Sequence, residues 1–351
     1  MALDDFEGLL DWSRLDAWLD GQSGIPGRGP VHSVKRLAGG TQNNVFLMGR
    51  AGGTFVLRRP GKHLRPKSNA TMMREARVLA ALKGSGVPHS ELYATCEDPA
   101  VIGASFYTMA PLEGFSVIGS LPGRWGSDPA WRRAMGEELV RAAVALGAID
   151  PEAVGLGDYG KAENWHVRQV ERWRSQLEGY RELPGYDGHD LAGVDQVGRW
   201  LSDNQVTGPV SIIHGDYQHP NIMFSLERPV ISGLIDWELS SLGDPLLDFG
   251  WLLQNWHEDG DPPGHEPPCT PWQGFLTRQE LVRLYGELSG RDMADMPWFF
   301  VLACYKLACL VEGNYARSKA GHMPAEVGTF FHNYAIWLLA KAQQVIGRGE
   351  I

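Results

Sequence analysis

The sequence has few cysteines, and their spacing excludes the usual frameworks built on thiols. Four occur in 351 residues: Cys96, Cys269, Cys304 and Cys309. None forms a C-x-x-C pair, and no set of cysteines and histidines has the spacing of a structural zinc site. Cys304 and Cys309 fall in an apolar stretch with helical periodicity, so they are predicted to be small core residues. A chain of this length can bury a large core without disulfides or a structural metal.

A surplus of positive charge is also missing. Lys plus Arg number 32 and Asp plus Glu number 42, so the formal net charge is -10. Because nucleic acids and anionic membranes attract basic surfaces, this balance disfavours both as the main partner. Hydrophobic residues make up 43% and charged residues 21%, as in an ordinary globular protein. The balance does not locate a pocket, and it says nothing of the oligomeric state.

Long hydrophobic runs and a basic leader are absent as well. The most apolar run, residues 298–311, is interrupted by Lys306 and is shorter than a bilayer span. The start, MALDDFEGLLDW, is acidic, and no basic segment precedes an apolar one, so we expect no secretory signal. These features predict a soluble, cytoplasmic protein.

The first part of the chain has strand and turn patterns. Short runs rich in β-branched or apolar residues occur at 31–37, 44–48, 55–58, 91–96 and 105–110. Glycine pairs separate the first three, which is typical of antiparallel hairpins. Residues 68–83 have helical periodicity instead. We therefore predict a small antiparallel sheet with one helix, preceded by a helix-like segment at 6–20 and a Gly/Pro linker at 24–30.

From about residue 111 the pattern becomes mainly helical. Helical periodicity occurs at 131–148, 164–178, 193–203, 278–288, 298–315 and 326–346. A compact β segment at 210–237 lies between these helices, and prolines exclude regular structure from 257–271. The prediction is an α+β protein with a small β-rich N-lobe, residues 1–110, and a larger, mainly helical C-lobe, residues 111–351.

The most informative segment is IIHGDYQHPNIMF, residues 212–224. A β-branched run leads into a polar loop that presents the carboxylate of Asp216 and the carboxamide of Asn221. A second strand-like run, 230–235, ends at Asp236. Two such strand ends can bring their oxygen atoms together at one point. Phosphoryl transfer needs a carboxylate near the acceptor hydroxyl, and a carboxylate plus a carboxamide to hold Mg²⁺ on the nucleotide phosphates.

Asp216 and Asn221 have the D-x-x-x-x-N spacing of a kinase catalytic loop, here in the form HGD. The segments IDWE, residues 235–238, and LGDPLLDF, residues 242–249, follow. Together they resemble the aminoglycoside phosphotransferase and choline-kinase-like family, especially its branch associated with acyl-CoA dehydrogenase domains. The resemblance covers most of the chain, about residues 30–340. It implies a bilobal protein-kinase-like fold and a phosphotransferase that uses ATP or GTP with Mg²⁺.

The resemblance also implies roles for the residues that match the motifs. Asp216 matches the catalytic residue that accepts or orients the proton of the attacking hydroxyl. Asn221 and Asp236 match the ligands of one or two Mg²⁺ ions. Arg58 stands where kinases usually place the lysine that grips the nucleotide phosphates, and its planar fork differs from an ammonium in reach. We therefore count Arg58 with the catalytic residues as well.

A nucleotide site on the N-lobe side follows from the same resemblance. The turn GGTQNN, residues 39–44, can cover phosphates with its backbone N–H groups. Glu75 matches the helix glutamate that orients the phosphate-binding side chain, and residues 107–112 match the hinge that contacts the base. The residues assigned to the nucleotide are Gly40, Thr41, Asn43, Arg58, Glu75, Met109 and Leu112.

Plainer interpretations stand beside these assignments. His214, Asp216 and His219 spell H-x-D-x-x-H, but no further ligand set completes a transition-metal site, so we expect His214 to fix the loop through backbone hydrogen bonds. Glu75 is equally well explained as an exposed helix residue. Asp244 and Asp248 are expected to cap and brace the next helix.

A second pattern, GLGDYG at residues 155–160, fits the dinucleotide fingerprint G-x-G-x-x-G. That fingerprint needs a strand before it and a helix after it. Here a predicted helix precedes it, so we interpret the segment as a connector.

The leading hypothesis is a small-molecule kinase whose acceptor is either aminoglycoside-like or a hydroxylated, acyl-type metabolite. A polycationic aminoglycoside would need carboxylates around its pocket, and Glu258, Asp259 and Asp261 could supply some. The alternative is a catalytically weak nucleotide-binding module. The sequence leaves open the acceptor, the choice between ATP and GTP, the number of metal ions, the oligomeric state and the role of residues 257–271.

Overall fold

The computed structural model describes residue 6 and residues 8–37, 43–188 and 191–351. The first part forms an antiparallel five-stranded sheet with the order β1-β2-β3-β5-β4. Its strands are β1 (Arg28–Arg36), β2 (Asn43–Ala51), β3 (Gly53–Pro60), β4 (Leu92–Cys96) and β5 (Phe106–Met109). Gly52 adopts φ 87° in the tight β2–β3 turn, a conformation that glycine adopts at no steric cost. The predicted hairpins are confirmed.

Two helices accompany this sheet. The predicted one is α2 (Ser68–Ala81), which buries Met72, Glu75 and Leu79. The other, α1 (Trp12–Asp20), starts later than the predicted segment 6–20, because the side chain of Asp11 caps it by accepting from the backbone N–H of Arg14. The predicted linker at 24–30 is correspondingly shorter, since β1 begins at Arg28.

The rest of the chain is mainly helical, and all six predicted helices are found with small shifts of their ends. The helices are α3 (Gly123–Ser127), α4 (Pro129–Gly147), α5 (Trp165–Gly179), α6 (Val194–Asp203), α7 (Pro245–Gln254), α8 (Arg278–Ser289), α9 (Met296–Lys319) and α10 (Ala325–Arg348). α7 is the helix expected after Asp244, whose side chain caps it. α3, a single short turn of helix, was not predicted.

Short strands cross this helical part and carry the loops of interest. They are β6 (Phe115–Ser116), β7 (Gly119–Ser120), β8 (Ser211–Ile213), β9 (Ile222–Phe224), β10 (Ile231–Leu234), β11 (Ser241–Gly243) and β12 (Cys269–Thr270). They form small sheets with the orders β10-β9-β6, β11-β8 and β12-β7. Residues 155–160 lie in turns between α4 and α5, so the dinucleotide pattern is a connector, as predicted.

α9 lies in the core and packs against α5, α7 and α10. We predicted that its apolar run is too short to span a membrane, and this was wrong. The helix that contains the run has 24 residues, and by length and composition it could cross a membrane. However, 78% of its most apolar 18-residue stretch is buried inside the protein. Buried core helices can have the same length and composition as a membrane span. The four cysteines are free and buried, and the core positions predicted for Cys304 and Cys309 are confirmed.

Candidate active site

The catalytic loop begins where β8 ends, and its backbone is held by α7. The carboxylate of Asp248 accepts hydrogen bonds from the backbone N–H groups of His214 at 2.5 Å and Gly215 at 2.9 Å. Gly215 has φ 83°, and a Cβ there would lie 2.2 Å from the carbonyl oxygen of Leu239. Only glycine fits this turn without moving the neighbouring backbone. We expected Asp248 to brace the helix that follows Asp244, but it lies within that helix and holds the backbone of the catalytic loop instead.

His214 links the loop to the second strand end. Its Nε2 lies 2.9 Å from the carbonyl oxygen of Ile235, and its ring packs against Trp237 with centroids 4.6 Å apart. The expected structural role of His214 is thus confirmed.

His219 makes no contribution to a metal site in this structure. It is fully buried and stacks on Trp256 at a centroid distance of 5.4 Å, and burial lowers its pKa to about 4. Within the part of the chain that the structure describes, no group of three or more His, Cys, Asp or Glu side chains could hold a metal. The transition-metal interpretation of H-x-D-x-x-H therefore has no support.

The carboxylate of Asp216 is oriented by three donors. It accepts hydrogen bonds from Gln218 Nε2 at 2.8 Å, Asn221 Nδ2 at 2.7 Å and Trp251 Nε1 at 2.9 Å. Asp216 and Asn221 therefore meet, as their spacing predicts. Gln218 and Trp251 were not among the residues predicted for the site. The indole N–H of Trp251 comes from α7, one turn beyond Asp248, and no local pattern reveals that contact.

Arg58 joins the first sheet to the second strand end. Its Nε lies 2.8 Å from Oε2 of Glu75, and its Nη2 donates to Oδ1 of Asp236 at 2.7 Å. Glu75 is 1% exposed and also accepts from the hydroxyl of Tyr107 at 3.1 Å, so the exposed-helix interpretation of Glu75 is wrong. Burial raises the pKa of Glu75, and the nearby charge of Arg58 opposes that rise. The guanidinium thus lies between two carboxylates.

Asp236 has an unusual backbone conformation. Its φ and ψ are 68° and 64°, in the left-handed region that few residues other than glycine adopt. Such local strain persists where surrounding contacts enforce it, often at functional sites. Glu238 follows and accepts from Nδ2 of Asn43 at 3.3 Å. Burial, and next the charge of Asp236, raise the pKa of Glu238. Glu238, to which sequence reasoning gave no role, is therefore a fourth carboxylate at this site, after Asp216, Glu75 and Asp236.

The remaining nucleotide assignments have different outcomes. Gly40 and Thr41 lie outside the described residues. Asn43 begins β2 and reaches Glu238, so the start of that strand contacts the segment after Asp236. Met109 ends β5, and Leu112 packs on Gly233, where a Cβ would lie 2.6 Å from Leu112 Cδ1. Contact of Met109 and Leu112 with a nucleotide base stays a prediction.

The donor set fits Mg²⁺. Asn221 uses its Nδ2 on the Asp216 carboxylate and carbonyl, which leaves its amide oxygen for other partners, and the carboxylate of Asp236 is about one-third exposed. Carboxylate and amide oxygens are hard ligands, and Mg²⁺ in such sites takes its other ligands from phosphates and water. Two protein residues therefore suffice.

The acidic residues proposed for a polycationic acceptor are mostly engaged elsewhere. Glu258 accepts from the backbone N–H of Arg278 at 2.9 Å. Asp261, 9% exposed, accepts from Arg278 Nη1 at 2.8 Å and lies 2.9 Å from Lys341 Nζ. Asp259 alone is left exposed. The suggestion that Glu258 and Asp261 could bind a polycationic substrate is therefore corrected: they anchor the 257–271 loop.

Comparison with known proteins identifies the family. Residues 33–267, about two-thirds of the chain, match the model of the phosphotransferase enzyme family (APH). The chain belongs to this family. This membership confirms the family resemblance that the motifs carried. The predicted α+β, protein-kinase-like fold is likewise confirmed by solved structures of the same family.

Three similar proteins illustrate the relationship. A solved structure from Ralstonia eutropha, assigned to the aminoglycoside phosphotransferases, is 30% identical, with 95% of this chain and 98% of that one covered and a TM-score of 0.78. Aminoglycoside phosphotransferase APH(4)-Ia, solved with AMP-PNP and hygromycin B, is 15% identical, with 93% and 98% covered and a TM-score of 0.59. The Arabidopsis thaliana protein named probable acyl-CoA dehydrogenase IBR3 is 30% identical over 87% of this chain, which spans 39% of that relative's length.

Proposed function

We propose that this phosphotransferase moves the γ-phosphate of ATP or GTP to a hydroxyl of a small acceptor at the Asp216 carboxylate. One observation carries the proposal: Asp216 contacts Asn221, and Asp236 contacts Arg58, so the expected base, metal ligands and phosphate-binding cation converge at two neighbouring strand ends. The complex of APH(4)-Ia with AMP-PNP and hygromycin B supports a nucleotide donor and a small acceptor.

Each side chain has a definable task in the proposal. Asp216, fixed by three donors, accepts or orients the proton of the attacking hydroxyl. Asn221 and Asp236 would hold Mg²⁺, which neutralises charge on the phosphates when bound. Arg58, locked by Glu75, presents its remaining N–H donors to the phosphates. Rate enhancement then comes from positioning and electrostatics.

For the acceptor, we favour a hydroxylated, acyl-type metabolite over an aminoglycoside. Glu258 and Asp261 are occupied by Arg278 and Lys341, so two of the three carboxylates proposed for a polycation are already engaged. The similarity to a protein named an acyl-CoA dehydrogenase supports the same choice. A cytoplasmic location, a nucleotide and a small-molecule acceptor as partners rather than nucleic acid or membrane, and lobes at 1–110 and 111–351 complete the proposal.

The test uses an Asp216→Ala variant and a metabolite panel. We expect ATP and GTP with Mg²⁺ to raise the melting temperature of both proteins, and only the wild type to phosphorylate an acceptor. Near wild-type turnover by Asp216→Ala would contradict the assignment of Asp216. Stabilisation by nucleotide without turnover of any acceptor would instead favour a nucleotide-binding module.

A further inference from the structure

Lys306 approaches the catalytic loop from α9. Its Nζ donates to the carbonyl oxygen of Gly215 at 2.9 Å and lies 4.0 Å from the ring centroid of Trp251. Trp251 is the residue whose indole N–H orients Asp216. The ammonium is therefore separated from the reacting carboxylate by a single side chain, although Lys306 is only 6% exposed. Arg58 reaches the site from the sheet, so the two cations approach from different elements.

Two donors of α5 lie beside Lys306. The ring centroid of Trp173 is 5.5 Å from Lys306 Nζ and 4.7 Å from Cζ of Arg172. The indole N–H of Trp173 is buried and has no acceptor among the residues that the structure describes. An unpaired buried donor is costly, and native proteins contain few of them. We refer to Arg172, Trp173 and Lys306 as the donor cluster.

The donor cluster also has a surplus of positive charge. Arg172 and Arg168 are four residues apart on one helix face, a spacing at which like charges repel. Arg168 donates to the backbone carbonyl groups of Glu163 and Lys161, and among the described residues neither arginine pairs with a carboxylate. On the outer face of α5, by contrast, Arg174 pairs with Glu171. Arg172, whose charge acts on Lys306, is therefore a cation without a carboxylate partner among the described residues.

We propose that the donor cluster binds a carboxylate of the acceptor molecule, so that the substrate is a hydroxy acid. Arg172 is exposed, while Trp173 and Lys306 are buried donors beside it. A carboxylate provides the acceptors that the Trp173 N–H and the two remaining Lys306 protons lack, and it neutralises Arg172. The trio thereby determines specificity, and this inference rests on the proposed function of the Asp216 site.

Charge and chemistry around Lys306 agree with this assignment. Asp216 and Asp248 are the carboxylates that face Lys306, and Arg172 is the cation that faces it. Asp248 is committed to the backbone of the catalytic loop, and Asp216 to its three donors. Burial lowers the pKa of Lys306 to about 8, so a bound anion would favour its charged form.

The experiment compares matched acids and amides as acceptors. β-Hydroxybutyrate, β-hydroxyoctanoate and their primary amides are offered with ATP, GTP and Mg²⁺, and the phosphate esters are quantified by mass spectrometry. We expect kcat/KM to favour an acid over its amide by about tenfold or more, since a hydrogen-bonded charge pair contributes that much. Equal use of acid and amide would overturn the proposal.

Variants of α5 test whether the donor cluster causes the preference for the acid over the amide. Arg172→Gln should abolish the preference for the acid by raising its KM, while the KM of the nucleotide and of the amide stay unchanged. Trp173→Phe keeps the ring and removes the N–H, and should act in the same direction. Arg174→Gln, on the outer face of the same helix, is the matched control and should preserve the preference. An unchanged preference in Arg172→Gln would contradict the assignment.

Binding measurements, which do not require turnover, test this inference independently of the proposed function. If no acceptor is phosphorylated, calorimetric titration of β-hydroxyoctanoate and its amide into the Asp216→Asn protein still tests the donor cluster. Binding of the acid alone, lost in an added Arg172→Gln change, supports the cluster even when the kinase assignment fails. If the acid does not bind, the assignment of the donor cluster as a carboxylate site is wrong. The rise in melting temperature with nucleotide tests the phosphotransfer site separately.

Discussion

Arg58 and Asp236 are 178 residues apart in the chain, yet Nη2 of the arginine donates to Oδ1 of the aspartate at 2.7 Å. The same guanidinium lies 2.8 Å from Glu75, so its orientation is set by one carboxylate from α2 and one from the end of β10. Such a geometry needs a planar, forked cation. An ammonium on a flexible stem can approach either carboxylate but cannot reproduce both contacts with the same directions.

Arg58→Lys therefore tests whether the planar, forked guanidinium is needed for use of the nucleotide, or whether a positive charge is enough. We expect kcat/KM for the nucleotide to fall by about tenfold to a hundredfold, because the donors are no longer preorganised on the phosphates. Steady-state kinetics with varied ATP and GTP measure this. Arg36→Lys, an exposed arginine of β1, serves as the control. Unaltered kinetics in Arg58→Lys would show that charge alone suffices at this position.

Trp251→Phe tests the orientation of the catalytic carboxylate. The change removes the indole N–H that Asp216 accepts at 2.9 Å but keeps an aromatic ring next to Lys306. We expect kcat to fall by about tenfold, the value of one lost hydrogen bond to a charged group, while the KM of the nucleotide stays the same. Single-turnover kinetics distinguish this from a slower product release. A loss confined to nucleotide affinity would contradict the assigned role.

Asp261→Asn tests how the 257–271 loop is anchored. Asp261 contacts both Arg278 and Lys341, and all three side chains are buried. Leaving buried cations without their partner is expected to cost about 3–5 kcal/mol of unfolding free energy. Urea unfolding at neutral pH measures the loss. Asp259→Asn, at an exposed position of the same loop, should change stability little.

The same contact predicts a pH dependence of stability. Burial acts to raise the pKa of Asp261, but hydrogen bonding by Arg278 and the charge of Lys341 outweigh it and hold the pKa below its usual range. Because the folded state has the lower pKa, the stabilisation is present above the unfolded value of about 3.9 and disappears as the pH falls through the folded value. The difference in melting temperature between wild type and Asp261→Asn should therefore shrink in acid. A constant difference would exclude an ionic contribution.

Local patterns predicted the centre of this site well. The strand-loop-strand pattern of residues 212–236 brought Asp216, Asn221 and Asp236 to neighbouring strand ends, because short β runs and the D-x-x-x-x-N spacing are properties of adjacent residues. Arg58 and Glu75 were placed by resemblance, and their mutual contact follows from packing of α2 on the sheet. The gross division into a β-rich first part and a helical second part needed only periodicity.

Residues that act across long sequence distances could not be predicted. Trp251, Lys306 and Asp261 are ordinary members of a helix or loop in the sequence, and their partners are chosen by tertiary packing. The acidic loop gave a misleading signal for the same reason, because composition does not show that Arg278 and Lys341 already neutralise it. The position of Glu238 in the site could not be predicted either, because its contact with Asn43 joins segments that are distant in the sequence.

α7 carries both Asp248 and Trp251, which are one helical turn apart. The first holds the backbone of the catalytic loop, and the second holds the side chain of its aspartate. The backbone of the catalytic loop and the carboxylate of Asp216 are therefore both hydrogen-bonded to α7. A displacement of α7 would move them together and preserve their alignment with each other. The alignment of the Asp216 carboxylate with its loop therefore depends in part on how firmly this ten-residue helix packs in the core.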